Sequence, residues 1–283
     1  MTFGARFSTA LAERGHLCGG IDPHATLLHE WGLDDTVAGL ERFALTAVEG
    51  LAPYVPVVKP QSAFYERFGS RGVAVLERVI AESKAAGALV LLDIKRGDIG
   101  STSQAYADAY LDPSSPLASD AVTVSPYLGF GSLTPFVESA AKHDAGLFVL
   151  ALTSNKEGAE VQDAVPDEES RAITGAATVA DLMLAHLRRL NDEARACGAL
   201  GRYGAVVGAT IDGAGHDFEF NGPILAPGFG AQGGTPSDLA RIFGTAARQV
   251  VASSSRGLLR QGPSTTAMRD RALRLREELA RLG

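Results

Sequence analysis

Cysteine is scarce: two residues in 283, Cys18 and Cys197, far apart and without a CxxC pair. That excludes a disulfide framework and a thiolate zinc site, and leaves two reduced thiols. Basic residues are not in excess either. A formal net charge of -7 and a pI near 5.4 argue against a nucleic-acid-binding surface, so an anionic ligand would need a local basic pocket. The opening stretch MTFGARFSTALAERGHL carries Arg6, Glu13 and Arg14 where a signal peptide needs an unbroken apolar run. No apolar run reaches the length of a membrane span. The expectation is a soluble cytoplasmic protein with no membrane or nucleic-acid partner. The six histidines form no HxH or HExxH spacing, so no catalytic metal is expected, and no GxGxxG follows the first apolar run.

What is present is ample apolar content, 46% of the chain, enough for a full core in one α/β barrel or two small domains. Eight short apolar runs recur about every 30 residues. They are LCGGID (17–22), VPVVKP (55–60), LVLLDIK (89–95), AVTVSP (121–126), GLFVLALT (146–153), YGAVVGAT (203–210), ILAPGFG (224–230) and QVVASSS (249–255). Helical patterns lie between most of them, over 34–51, 72–86, 101–111, 132–142 and 174–195, with a last one over 266–282. Strand and helix in alternation imply a parallel sheet with right-handed crossovers, and eight repeats favour closure into a (β/α)8 barrel over an open doubly wound sheet. One unit is weak. IDGAGHDFEFNGP, between the sixth and seventh strands, is too short and glycine-rich for a proper helix. Nothing marks a domain boundary, so residues 1–283 are expected to form a single barrel domain. The polar stretch 155–170 reads as an extended loop over the barrel mouth, and the charge-alternating C-terminal helix as a solvated surface element.

Barrel enzymes place their chemistry at the carboxyl ends of the strands. Here the first strand ends in Asp22, the second in Lys59, the third in Asp93 and Lys95 with Asp98 just beyond, and the fourth in Ser125. Asp93 and Lys95 are two apart and share a strand face. An alternating array of acids and lysines lets buried charges stay ionised together, which isolated ones could not. A lysine between carboxylates is favoured as an ammonium, which disfavours Schiff-base chemistry and suits a proton donor aimed at a carbanion. On the other side, the loops after strands seven and eight, APGFGAQGGT and SSSRGL, offer backbone N–H groups and Arg256 to a phosphate. Gln232 could bridge such a phosphate and a base.

These residues resemble the orotidine 5'-phosphate decarboxylase family. DIKRGDIGST is similar to its DxKxxDI..T motif, in the KRGDIG form of the second, bacterial subfamily. GIDPH, VVKPQSAFYE, TVSPYLGFGSL, LALTSN, PGFGAQGG and SSSRG follow in the expected order across nearly the whole chain. The resemblance implies decarboxylation of orotidine 5'-phosphate to uridine 5'-phosphate, the last step of de novo pyrimidine nucleotide synthesis, with neither metal nor organic cofactor. It implies a charged network of Lys59, Asp93, Lys95 and Asp98, with Lys95 protonating C6 of the pyrimidine, and Asp22 and Lys59 on the ribose hydroxyls. Ser125 would bond the pyrimidine and Gln232 would span base and phosphate. Arg256 would hold the phosphate, and Pro227 and Gly233 would contribute from the same glycine-rich loop. The family's homodimers imply that Asp98, Ile99 and Thr102 complete the neighbouring subunit's site.

Two rivals stand beside this reading. A magnesium-dependent sugar-phosphate decarboxylase or synthase of the same barrel superfamily would be expected to carry an acidic metal ligand at the end of the second strand, where this chain has Lys59. Arg96, Gly97 and Asp98 also spell an adhesion tripeptide, which would need an exposed loop tip in a secreted protein.

Overall fold

Every strand of the sheet is buried on both faces, which is why the sequence shows near-continuous apolar runs in place of alternation. A computed structural model describes residues 1–230 and 233–282. Its strands are β1 (Leu17–Ile21), β2 (Val57–Pro60), β3 (Leu89–Arg96), β4 (Ala121–Val124), β5 (Gly146–Leu152), β6 (Tyr203–Val207), β7 (Ile224–Pro227) and β8 (Val250–Ser254). All pairings are parallel, and β8 pairs back onto β1 to close the barrel. Alternation sorts the strand residues. On β3, Leu91 joins Cys18, Val57, Ala121, Phe148, Val206, Leu225 and Val251 in the barrel interior, while Val90, Leu92 and Ile94 pack outward against the helices.

The helices that cover the barrel are α1 (Phe3–Arg14), α2 (Val37–Leu51), α3 (Ser70–Ala85), α4 (Gly100–Leu111), α5 (Thr134–Lys142), α6 (Val179–Leu190), α7 (Pro236–Phe243) and α8 (Thr265–Leu279). Two of them, α1 and α7, were not anticipated. Helix α1 lies across the amino end of the barrel and inserts Phe3, Phe7 and Leu11 into the interior cluster. Phe3 meets Phe148 edge-on, with ring centroids 6.2 Å apart. Residue 146 has to be glycine here, because a Cβ would sit 2.3 Å from the Phe3 ring. Helix α7 begins with a capping box between Thr235 and Asp238 and has proline in its first turn.

The helix expected over 174–195 is divided. Glu168–Thr174 forms one piece, α6 a second and Asp192–Ala196 a third. Asn191 makes the last break, its amide donating to the carbonyl oxygens of Tyr203 (2.8 Å) and Phe220 (3.2 Å). The stretch 155–170, expected as an extended loop, contains the helical turn Ala159–Gln162 and the start of the Glu168–Thr174 helix. Gln162 ties it down, accepting from Thr153 N (2.9 Å) and donating to Thr153 Oγ (2.7 Å). Between β6 and β7 no helix forms among the described residues. Phe218 and Phe220 fill its place in the outer core, and His216 pairs with Asp181 of α6 at 2.7 Å. Helix α8 is more than a solvated surface element: Met268, Ala272, Leu275 and Leu279 form a buried face. No described helix is long and apolar enough to cross a membrane.

Candidate active site

Going up the barrel, the inward positions turn from apolar to polar within one step on four strands. Val57 is followed by Lys59, Leu91 by Asp93, Ala121 by Thr123 and Val251 by Ser253. Above this level a cavity of about 530 Å³ opens at the carboxyl ends of the strands. It is lined by Asp22, Lys59, Asp93, Lys95, Pro227 and Arg256, six of the residues expected from the sequence.

The charges form a connected array. Lys59 Nζ lies 3.0 Å from Asp93 Oδ2 and 3.8 Å from Asp22 Oδ1, and Lys95 Nζ lies 2.6 Å from Asp93 Oδ1. Each carboxylate oxygen of Asp93 therefore has its own ammonium. Burial by itself would raise the Asp93 carboxyl, but the attraction of Lys59 and Lys95 outweighs it and holds the group well below the usual carboxylate range. Burial likewise works against the Lys59 ammonium, while Asp22 and Asp93 together keep it above the ordinary lysine range. Cys18, beneath this layer, is pushed up to about 12 by burial and stays a thiol. Asp22 Oδ1 is buried and accepts no hydrogen bond. Lys95 differs from Lys59 in exposure, its side chain being 45% exposed against 7%.

The position of Lys95 depends on an irregularity. Between Leu92↔Val122 and Arg96↔Val124 the β3–β4 register shifts, and Lys95 adopts φ +47°. A non-glycine residue pays of order 1 kcal/mol in the left-handed region. Thr123 borders this irregularity, donating to Asp93 Oδ1 (2.7 Å) and accepting from Lys95 N (3.0 Å). Nothing in the local sequence pattern singled it out beyond a lone hydroxyl in an apolar run. His24, Gln61, Thr153, Ser154 and Asn155 also line the cavity and were not anticipated. Gln61 accepts from Lys59 Nζ at 3.2 Å. Burial lowers the His24 imidazole below its ordinary range, and the ring packs against Phe64.

Ser125 is not among the residues lining the cavity. It follows β4, which ends at Val124, and its backbone N–H donates to Arg96 O (2.8 Å). Gly97 abuts the same residue, where a Cβ would lie 2.3 Å from Ser125 O. Asp98, Ile99 and Thr102 also lie outside the cavity lining; Ile99 is 63% exposed and its N–H is capped by Asp98 Oδ1 at 2.8 Å. Gly233 takes φ +95°, its N–H donating to Gly230 O (2.9 Å), and is not among the lining residues. Gln232 lies outside the described residues. The adhesion tripeptide is not presented at a tip: Arg96 pairs with Glu66 at 2.6 Å and Gly97 packs on Ser125.

Residues 15–270 match the model of the orotidine 5'-phosphate decarboxylase / HUMPS family. The chain belongs to that family. Its curated relatives include orotidine 5'-phosphate decarboxylases from Nocardioides sp., 68% identical over 98% of each chain, and from Streptomyces coelicolor, 59% identical over 98% of this chain and 96% of that one. The solved structure of Leishmania donovani OMP decarboxylase superposes with a TM-score of 0.78 at 29% identity, covering 100% of this chain and 99% of that one. In this member of the family β2 carries Lys59 near its carboxyl end, and both oxygens of Asp93 are engaged by ammonium groups.

Proposed function

We propose that the protein decarboxylates orotidine 5'-phosphate to uridine 5'-phosphate and carbon dioxide, as the last step of pyrimidine nucleotide synthesis. The observation that carries this reading is Asp93 held between two ammonium groups at the edge of the cavity, with one of them, Lys95, reaching into open space. The bond from C6 to the carboxylate breaks, carbon dioxide departs, and the electron pair stays on C6. Lys95 Nζ gives its proton to that carbon, and the resulting neutral amine regains one from water. No electrons change hands with a carrier, so the step calls for no redox cofactor. The fixed ammonium stabilises charge as it develops, which preorganised dipoles and charges do at little reorganisation cost.

The remaining roles combine the lining of the cavity with what the family resemblance implies. Asp22, with its buried free oxygen, and Lys59 take the ribose hydroxyls. The pyrimidine lies against Leu150, Val206 and Leu225, and its polar edge meets Ser154, which lines the cavity where Ser125 does not. Arg256 holds the phosphate beside the Pro227–Phe229 turn, and binding energy from that remote group offsets the organisation of the site. Gln232 bridges base and phosphate. Asp98, Ile99 and Thr102 complete the site of a second subunit, and exposed Ile99, Tyr127 and Leu128 supply apolar surface for such a homodimer. The protein is one barrel domain and works in the cytoplasm, where its free thiols Cys18 and Cys197 remain reduced.

The deciding test is loss of orotidine 5'-phosphate absorbance with purified protein, with and without a chelator. Conversion that ignores the chelator supports the reading. No conversion by folded protein moves the assignment to the magnesium-dependent sugar-phosphate enzymes of the same superfamily. The dimer is tested by mixing Lys95→Ala with Asp98→Ala: regained activity means shared sites, and no regain after confirmed subunit exchange places Asp98 within its own chain.

A further inference from the structure

Between Leu92↔Val122 and Arg96↔Val124, three residues of β3 face a single residue of β4. Asp93, Ile94 and Lys95 lie opposite Thr123. In a regular parallel strand successive residues bond to opposite neighbours; Asp93 O accepts from Ser62 N on the β2 side and Arg96 O from Ser125 N on the β4 side, so an undistorted Lys95 N–H would turn toward β2. Here it donates to Thr123 Oγ at 3.0 Å instead, and the same hydroxyl donates a hydrogen bond to Asp93 Oδ1 at 2.7 Å. Thr123 is 1% exposed, so neither bond has water as a substitute.

We infer that Thr123 is a positioning residue for the decarboxylation, its one hydroxyl fixing both the left-handed turn of the chain at Lys95 and the rotation of the Asp93 carboxylate. The inference rests on the assignment of Lys95 as the proton donor. A hydroxyl has one donor and two acceptor sites, which matches this double duty. With the Lys95 N–H anchored at φ +47°, the side chain doubles back so that Nζ reaches Asp93 Oδ1, two residues earlier on the same strand. The Asp93 carboxylate, fixed in the plane set by Thr123, presents its second oxygen to Lys59 at 3.0 Å. Valine in this place would keep the shape and lose both bonds. The Lys95 backbone would then relax toward the extended region, and Nζ would move off the line to C6.

The test compares Thr123→Val and Thr123→Ser with the wild type. Removing a hydrogen bond to a charged group predicts a kcat loss of about 10- to 100-fold in Thr123→Val, with KM little changed, and recovery of most of it in Thr123→Ser. A packing role alone would change the folded fraction or affect both variants alike, and would leave no split between kcat and KM. The second readout is hydrogen exchange of the Lys95 amide in ligand-free protein, which accelerates in Thr123→Val and stays protected in Thr123→Ser. Wild-type kcat in folded Thr123→Val, or unchanged protection of the Lys95 amide, overturns the inference. Should Thr123→Val not fold, Thr123→Cys, similar in shape with a weak donor, carries the same comparison. Faster amide exchange in a protein whose wild type does not convert orotidine 5'-phosphate would leave the positioning role standing and remove the assigned substrate.

Discussion

Strands β2 and β3 deliver Lys59, Asp93 and Lys95 to the cavity, whereas β5, β6 and β7 deliver Leu150, Leu152, Val206 and Leu225 to the same space. Both walls rise from one uniformly apolar floor. The charged wall alone would be an ion-pair network of the kind found on many surfaces. Facing an apolar wall a few ångströms away, its charges lose solvent screening and act on whatever lies between with a higher effective field. The difference teaches that the cavity is polarised across its width: one side offers apolar shape, and the other a fixed array of charge, which under the proposed reaction would act on charge that develops between them.

The largest break in this comparison comes from Lys95→Ala. Loss of both the acid and the fixed charge predicts a fall in kcat of at least about 10⁴-fold, in a protein that still melts near the wild-type temperature. Rapid-mixing assays and a thermal scan check both halves. Asp93→Asn comes next, with kcat down about 10³-fold and stability lower by about 3–5 kcal/mol, because buried Lys59 loses its closest counter-charge. Its pH dependence has a definite sign. The folded carboxyl titrates well below the usual range, while in the unfolded chain it titrates near about 3.9. Its stabilisation is therefore fully present above about pH 4 and is lost as pH falls toward the folded value. Urea unfolding from pH 7 to pH 3 should show the gap between wild type and Asp93→Asn narrowing only at the acid end.

Arg256→Ala probes the proposed phosphate contact after β8 and is expected to raise KM for the phosphorylated substrate about 100-fold in steady-state kinetics. On the apolar wall, Leu150→Val removes a single methylene, and kcat/KM should fall by about tenfold or less. An apolar-wall change as damaging as Asp93→Asn would mean that the two walls do not divide the work as described.

The barrel and its charged wall were legible because both write themselves into local pattern. Seven of the eight expected apolar runs contain the observed strand, the third falling one residue short of Arg96, and the charges at three consecutive strand ends meet in one cavity. The misses have physical causes. Thr123 matters through a register shift between two strands, and no window on one strand reports the pairing of another. Ser125 lies one residue past the end of β4 and outside the cavity lining, where strand alternation no longer locates a side chain. Ser154 lies beyond the end of β5, in the turn held by Gln162, where parity no longer applies. Helix α7 did carry a readable signal, Thr235 followed by proline and, three residues on, Asp238. Helix α1 buries only Phe3, Gly4, Phe7 and Leu11 among polar neighbours, a stripe too thin to stand out.

That first helix carries a consequence for the order of events during synthesis. It is made before β1, yet its seat includes Phe148, Val206, Leu225 and Val251, the last of them on β8. Closure of β1 on β8 waits for the same late residues. Contacts so distant along the chain are slow to form and leave apolar surface uncovered meanwhile. A nascent chain halted before residue 250 would carry Phe3 and Phe7 with no completed barrel to receive them, so a helix made ahead of the whole barrel is among the last elements to reach its native place.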